Sequence, residues 1–119
     1  MGDRVIVAFK DLAGFAPSVY LHWHGHEAAD LIKAAAPRMR QGDSGYSAAR
    51  FAGHCHAEIS GNTGLGLLAA PEPGEDGTID WSEYSHGDNG VFVVDTETGR
   101  VEHFEGYDHP DGFTIALTA

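Results

Sequence analysis

Two runs of consecutive apolar, mostly β-branched residues stand near the ends of the chain, Val5-Ile-Val-Ala-Phe9 and Val91-Phe-Val-Val94. The first predicts a strand over residues 4–9. Gly14 and Pro17 suit a connection over 11–17, and residues 18–23 read as a second strand. A link this short makes the two strands antiparallel neighbours. From residue 27 the apolar period lengthens from two to 3.6. Ala28, Leu31, Ile32 and Ala35 share one helical face, with Glu27 and Asp30 near its start and Lys33 near its end, as the helix dipole favours. Pro37 disfavours helical geometry at Ala36, so the helix is expected to stop or kink there. In Gly42-Asp-Ser-Gly45, Asp43 or Ser44 can cap a second helix running to about residue 59. Its apolar stripe is Ala48, Phe51, Ala52, Cys55 and Ile59, and Gly61 suits the left-handed residue that closes it.

Beyond the helices, residues 64–70 predict a short buried strand, and the Pro-, Gly- and acid-rich residues 71–78 an exposed, mobile loop. Trp81 and Tyr84 return apolar surface to the fold. The strongest local signal is a hairpin over residues 91–104, whose strands flank Thr96-Glu-Thr-Gly99. Its register is open between two forms: a three-residue loop sets Phe92 opposite Phe104, and a four-residue loop sets it opposite His103. After the turn at 108–112, residues 113–117 predict an edge strand. There is no internal repeat and no linker. The expectation is a single α+β domain spanning 1–119, with a mainly antiparallel sheet and two helices packed on one face. An uncovered edge would allow pairing across a two-fold axis, so a homodimer is among the expectations.

Charge narrows the function classes. The net charge is −11, with 18 Asp and Glu against 7 Lys and Arg. Neutralising nucleic-acid phosphates needs clustered cations, so direct backbone binding is not expected. Acidic residues dispersed for solubility are the plain explanation; mimicry of nucleic acid by a negative face is a weaker alternative. One cysteine excludes an intrachain disulfide and fits a reducing compartment. Met1-Gly-Asp-Arg-Val has no apolar leader core, and no later stretch reaches the roughly 20 apolar residues of a membrane span. A cytoplasmic protein without a membrane partner is expected.

Eight histidines raise the question of a metal. In Val19-Tyr-Leu-His-Trp-His-Gly-His26, strand alternation would send His22 and His24 to one face and Trp23 to the other. Three imidazoles and a water are a hydrolytic zinc set, so a metal-dependent hydrolase using His22, His24 and His26 is the alternative reading. The spacing matches neither His-Glu-x-x-His nor the metallo-β-lactamase run. His54 and His56 diverge by about 200° on a helix and cannot share a site. His54 reads instead as an exposed partner of Glu58 one turn on. Cys55 falls on the buried stripe and reads as a core thiol. Gly-x-Ser-x-Gly and the Walker loop are absent, and Gly61-Asn-Thr-Gly-Leu-Gly66 follows a helix, the wrong context for a phosphate cradle.

Val19-Tyr-Leu-His-Trp-His-Gly25, Tyr46-Ser-Ala-Ala-Arg50, Gly61-Asn-Thr-Gly-Leu-Gly66 and Asp88-Asn-Gly-Val91, in that order, resemble a set of small uncharacterised proteins of tailed phages and bacterial mobile elements. The shared features are a strand ending in His-Trp-[His/Asn/Asp]-Gly, an Ala-Arg in the second helix and a downstream Gly-rich turn, over roughly residues 18–95. The resemblance implies an accessory protein in the host cytoplasm. It would bind a host protein or a small, nucleotide-like ligand without turning it over, with counter-defence among the roles such proteins fill. The matching positions are His22, Trp23, His24, Arg50, Asn62 and Asn89. Trp23 could stack on a planar ligand and Arg50 could hold an anion. The competing structural readings put Trp23 in the core and pair Arg50 with a carboxylate such as Asp30.

Overall fold

The two apolar runs have no polar positions because both are buried on both sides. In the computed structural model, which describes residues 3–58, 64–106 and 112–118, they form β1 (Val5–Asp11) and β5 (Val91–Asp95), adjacent at the centre of one sheet. They run parallel, from Ile6 opposite Val91 to Lys10 opposite Asp95. The other pairings are antiparallel. The strands β3 (Ser18–Leu21), β4 (Leu65–Leu68), β6 (Arg100–Phe104) and β7 (Phe113–Thr114) complete the order β4-β3-β1-β5-β6-β7, and β2 (Gly14–Phe15) folds back on the end of β1. The protein is therefore α+β, with seven strands among the described residues and a mostly antiparallel sheet. β1 and β3 are antiparallel neighbours, as the short link between them requires. The parallel contact of β1 with β5 was not expected, because local pattern carries no record of partners some 80 residues apart.

Alternation along β1 and β5 divides the core. Val5, Val7, Phe9, Phe92 and Val94 share a cluster with Ala28, Ile32 and Ala35 of α1 (Ala28–Ala35) and with Ala48, Phe51 and Cys55 of α2 (Ser44–Glu58). Ile6, Ala8, Val91 and Val93 belong to a second cluster, closed by Tyr20, Phe104 and the rings of α3 (Trp81–Tyr84). Trp81 stacks on Phe104 at 5.5 Å and meets Phe15 edge-on at 5.8 Å. The Tyr84 hydroxyl donates to the Ala69 carbonyl at 2.6 Å and lies 2.9 Å from the Ser18 hydroxyl. Counting two helices thus left out a third, which is short and lacks a helical apolar stripe.

Local chemistry sets most of the boundaries. The Asp43 carboxylate accepts from the Tyr46 amide at 2.9 Å, and Asp11 accepts from the Ser44 amide at 2.9 Å, so two acids satisfy the free donors at the start of α2. α1 gives way at Ala36 to a 3-10 turn, Ala36–Arg38, containing Pro37. Ala36 nonetheless keeps helical dihedrals (φ −50°, ψ −42°), so the proline tightens the helix end rather than expelling Ala36 from helical geometry. The hairpin takes the four-residue loop, with Phe92 opposite His103. Gly99 adopts φ +79°, and a Cβ there would meet the Ile115 carbonyl oxygen at 2.3 Å. Two expectations need correcting. β4 is an edge strand with Leu67 67% exposed, not a buried one, because nothing among the described residues pairs with its outer side. His54 is only 7% exposed; it belongs to the inner side of α2 and borders a depression shared with Leu31 and Ala34 of α1. The helix terminator at Gly61 and the turn at 108–111 lie outside the described residues.

Candidate functional site

The corner where β3 gives way to α1 is built by a strand that stops early. β3 ends at Leu21, two residues before the expected boundary, although the His22 amide still donates to the Gly64 carbonyl at 3.0 Å. Strand alternation therefore does not reach Trp23. His22 and Trp23 do not point to opposite faces: their rings meet edge to face with centroids 4.1 Å apart. The Tyr20 hydroxyl lies 2.6 Å from Nδ1 of His22, and the Tyr20 ring also meets His86 edge-on at 5.2 Å. Trp23 is 59% exposed, so it is not a core residue. The result is a connected set of aromatic rings ending in an indole that faces water.

A hollow of about 420 Å3 lies beside these rings, lined by Tyr20, His22, Trp23, Gly64, Leu65 and Gly66. Its shape follows from the register. Tyr20 pairs with Gly66, and a glycine opposite a large ring leaves open space where a cross-strand side chain would stand. Neither backbone nor packing demands that glycine: its φ is not in the left-handed region, and a Cβ would meet nothing within 4 Å.

The rest of the corner is scaffolding. Gly25 is required sterically, since a Cβ would stand 2.5 Å from both the Asn89 amide nitrogen and the Asp3 carbonyl oxygen. Its amide donates to that carbonyl at 2.7 Å. Asp3 Oδ1 accepts from the His26 amide at 2.8 Å and from the Asn89 side chain at 2.7 Å, and Asp3 Oδ2 is bonded to the His26 ring. Arg4 pairs with Asp88 at 2.8 Å. These contacts tie the chain before β1, the turn before β5 and the start of α1 into one knot.

The expected site residues therefore separate. His22 and Trp23 come together at the hollow. His24 turns away, bonded through Nδ1 to Glu27 at 2.8 Å, and His26 goes to Asp3. The three imidazoles of the alternative zinc set thus have three different partners, and among the described residues no group of three or more His, Cys, Asp or Glu is placed to hold a metal. Asn89 is spent on Asp3. Arg50 stands on α2 with its guanidinium 4.7 Å over the Tyr46 ring rather than against Asp30, and it lines a different hollow. Asn62 lies outside the described residues. Tyr20 and Gly66 were missed. Tyr20 stands two residues before His22, and alternation alone could have joined them; Gly66 needed the register.

The rest of the chemistry is quiet. Burial pushes the Cys55 thiol up to about 12, far from a thiolate at neutral pH. Hydrogen bonds from Ser44 hold Asp11 below its ordinary value of 3.8, and bonds from Thr78 and Ser82 do the same for Asp76 and Asp80. These are capping and turn carboxylates, and none lines the hollow. No helix is long and apolar enough to cross a membrane among the described residues. Comparison of the chain with protein-family models, with curated proteins and with solved structures yields no match.

Proposed function

We propose that this is a non-enzymatic binding protein that takes a flat, nucleobase-like ligand against Trp23. The observation that carries the reading is the exposed indole, braced edge-on by His22 beside a 420 Å3 hollow that the Tyr20–Gly66 pairing leaves open. Large exposed aromatic faces held in place by neighbours are inexpensive stacking platforms, because little side-chain freedom is lost on binding. His22 adds a polar edge able to donate or accept in the plane of a base. α1 and α2 are taken to cover the opposite face of the sheet, leaving this face to the ligand. The Tyr20 hydroxyl and His22 Nδ1, 2.6 Å apart, are the titratable groups that line the hollow, and we read them as hydrogen-bonding groups for a captured ligand rather than as a catalytic pair. It agrees with the role implied by the resemblance to phage-borne proteins: a small acidic accessory protein that sequesters a ligand in the host cell.

Titration with adenosine and guanosine, followed by tryptophan fluorescence, tests this. Stacking is worth roughly 1–3 kcal/mol per base, and with contacts to His22 and Tyr20 the dissociation constant should be on the order of 1 mM or tighter. Saturable quenching lost in Trp23→Ala, with the nucleoside recovered intact, is the expected result. Conversion of the nucleoside, or quenching that survives Trp23→Ala, would refute it.

A protein partner is the second reading, and one observation favours it. Leu67 is exposed on the outer strand β4, next to the corner that bears Trp23, so an extended segment could add to that edge. Leu67→Lys would then abolish capture of a host protein and leave nucleoside binding unchanged; capture that persists in the variant would dismiss this reading.

A further inference from the structure

Arg38, Arg40 and Arg50, three of the chain's seven Lys and Arg, line one hollow of about 380 Å3, with Tyr46 and Thr118 among its other walls. In a chain with 18 Asp and Glu, cations are expected to stand beside carboxylates. Arg4 and Arg100 do, each 2.8 Å from an acid, whereas Lys33 lies over the Phe113 ring and Lys10 forms no ion pair among the described residues. Among the described residues, Arg38, Arg40 and Arg50 form no ion pair. The nearest acid in sequence, Asp43, accepts from the Tyr46 amide through Oδ1. Three like charges lining one depression, with no ion pair among the described residues, are a local concentration of positive charge on a protein of net charge −11.

The backbone beneath them is fixed. The Arg40 amide donates to the Ser47 hydroxyl at 3.1 Å, and that hydroxyl donates to the Arg40 carbonyl at 3.0 Å. Ser47 is fully buried, so Arg40 is tied to α2. Arg40 also bridges to Thr118, the Gln41 amide donates to the Thr118 carbonyl at 2.8 Å, and the Thr118 hydroxyl donates to the Pro37 carbonyl at 2.8 Å. Arg50 follows Tyr46 by one helical turn and lies over its ring at 4.7 Å, which restrains the plane of its guanidinium fork.

We propose that this hollow binds a pyrophosphate group, either free or esterified as in a nucleoside diphosphate. Guanidinium forks match phosphate oxygens two by two. A single phosphate can be held by one or two forks, whereas three arginines lining one depression suit two linked phosphates. The hollow shares no lining residue with the one at Trp23, so the proposal stands apart from the reading of that corner.

The test is calorimetric titration at low ionic strength, in buffer free of phosphate and sulfate, with inorganic pyrophosphate, ADP and inorganic phosphate. Pyrophosphate and ADP should bind at least about tenfold more tightly than phosphate, and 0.5 M NaCl should weaken both. Their ratio identifies the source: tighter ADP means a nucleoside diphosphate, and equal or tighter pyrophosphate means the free anion. Arg40→Ala should weaken pyrophosphate about tenfold or more. Arg50→Lys, which keeps the charge but loses the fork and the stacking, should weaken it about threefold or more. All three arginines are exposed, so the variants should keep the parent's melting temperature, and Trp23→Ala should bind pyrophosphate like the parent. Equal affinity for phosphate and pyrophosphate, absence of binding, or full affinity in Arg40→Ala would overturn the proposal.

Discussion

Replacing Gly66 by isoleucine should make the protein more stable and less able to bind. The site has no steric objection, because the backbone is not left-handed and a Cβ would meet nothing within 4 Å. Glycine within a strand costs roughly 0.5–1 kcal/mol relative to alanine. A β-branched residue opposite Tyr20 adds roughly 0.2–1 kcal/mol as a cross-strand aromatic pair. Since β4 is an edge strand, the lower parts of both ranges apply, giving a gain of about 1 kcal/mol. An unfolding entropy of about 2.1 cal/mol/K per residue gives about 250 cal/mol/K for a chain of this length, so 1 kcal/mol corresponds to a rise of about 4 °C in melting temperature. The same side chain enters the hollow beside Trp23 and should weaken adenosine binding at least about tenfold. Thermal melts by circular dichroism and the fluorescence titration read the two effects separately. A lower melting temperature would show that the space beside Gly66 is not there; a higher one with unchanged adenosine affinity would show that the hollow is not the ligand site.

Other expected outcomes address the scaffold. Gly25→Ala forces a methyl against the Asn89 amide and the Asp3 and Arg4 carbonyls, and should cost about 1–3 kcal/mol by urea denaturation; a loss under 0.5 kcal/mol would mean that the knot gives way easily. Phe51→Ala removes a fully buried ring that packs on Phe9 at 5.7 Å, and should cost about 3–5 kcal/mol in the same assay. Cys55 should resist a water-soluble disulfide reagent at pH 8 while folded and react at once in urea, since burial holds its thiol near 12; rapid reaction of the folded protein would contradict its placement in the core. Asp11 titrates below 3.8 when folded, so its contribution to stability is complete above that value and is lost as pH falls through the lower, folded one. Asp11→Asn should therefore destabilise at pH 7 and progressively less as pH falls below 3.8, as read by urea midpoints; a difference unchanged by pH would contradict the role of the charge.

How far the sequence disclosed all this depended on how local each feature is. The α1 and α2 faces, the cap at Asp43, the helix end before Pro37 and the turn at Gly99 follow from a few neighbouring residues, and the structure has them. The pairing of β1 with β5 depends on a partner far along the chain, and α3 is only one turn long. At the corner, the identity of Trp23 and His22 was legible but their geometry was not. β3 ends at Leu21, so the alternation used to separate them has stopped before it reaches Trp23. The hollow was invisible for a related reason. It is made by an absent side chain at Gly66, and that absence has meaning only once Tyr20 is known to stand opposite. The arginines were scattered in sequence at 38, 40 and 50, and the return of the chain near Thr118 completes their hollow.

The central claim is that the ring set ending in Trp23 is where this protein meets its ligand. Nitrogen–proton correlation spectra of the labelled protein, recorded through a titration with adenosine, test it most directly, because the indole N–H of Trp23 and the amides of His22, Leu65 and Gly66 each report separately. Those signals should move together and saturate, while the side-chain signals of Arg38, Arg40 and Arg50 stay where they are. A spectrum in which the Trp23 indole does not move, or in which the saturable shifts fall elsewhere in the molecule, would contradict the claim.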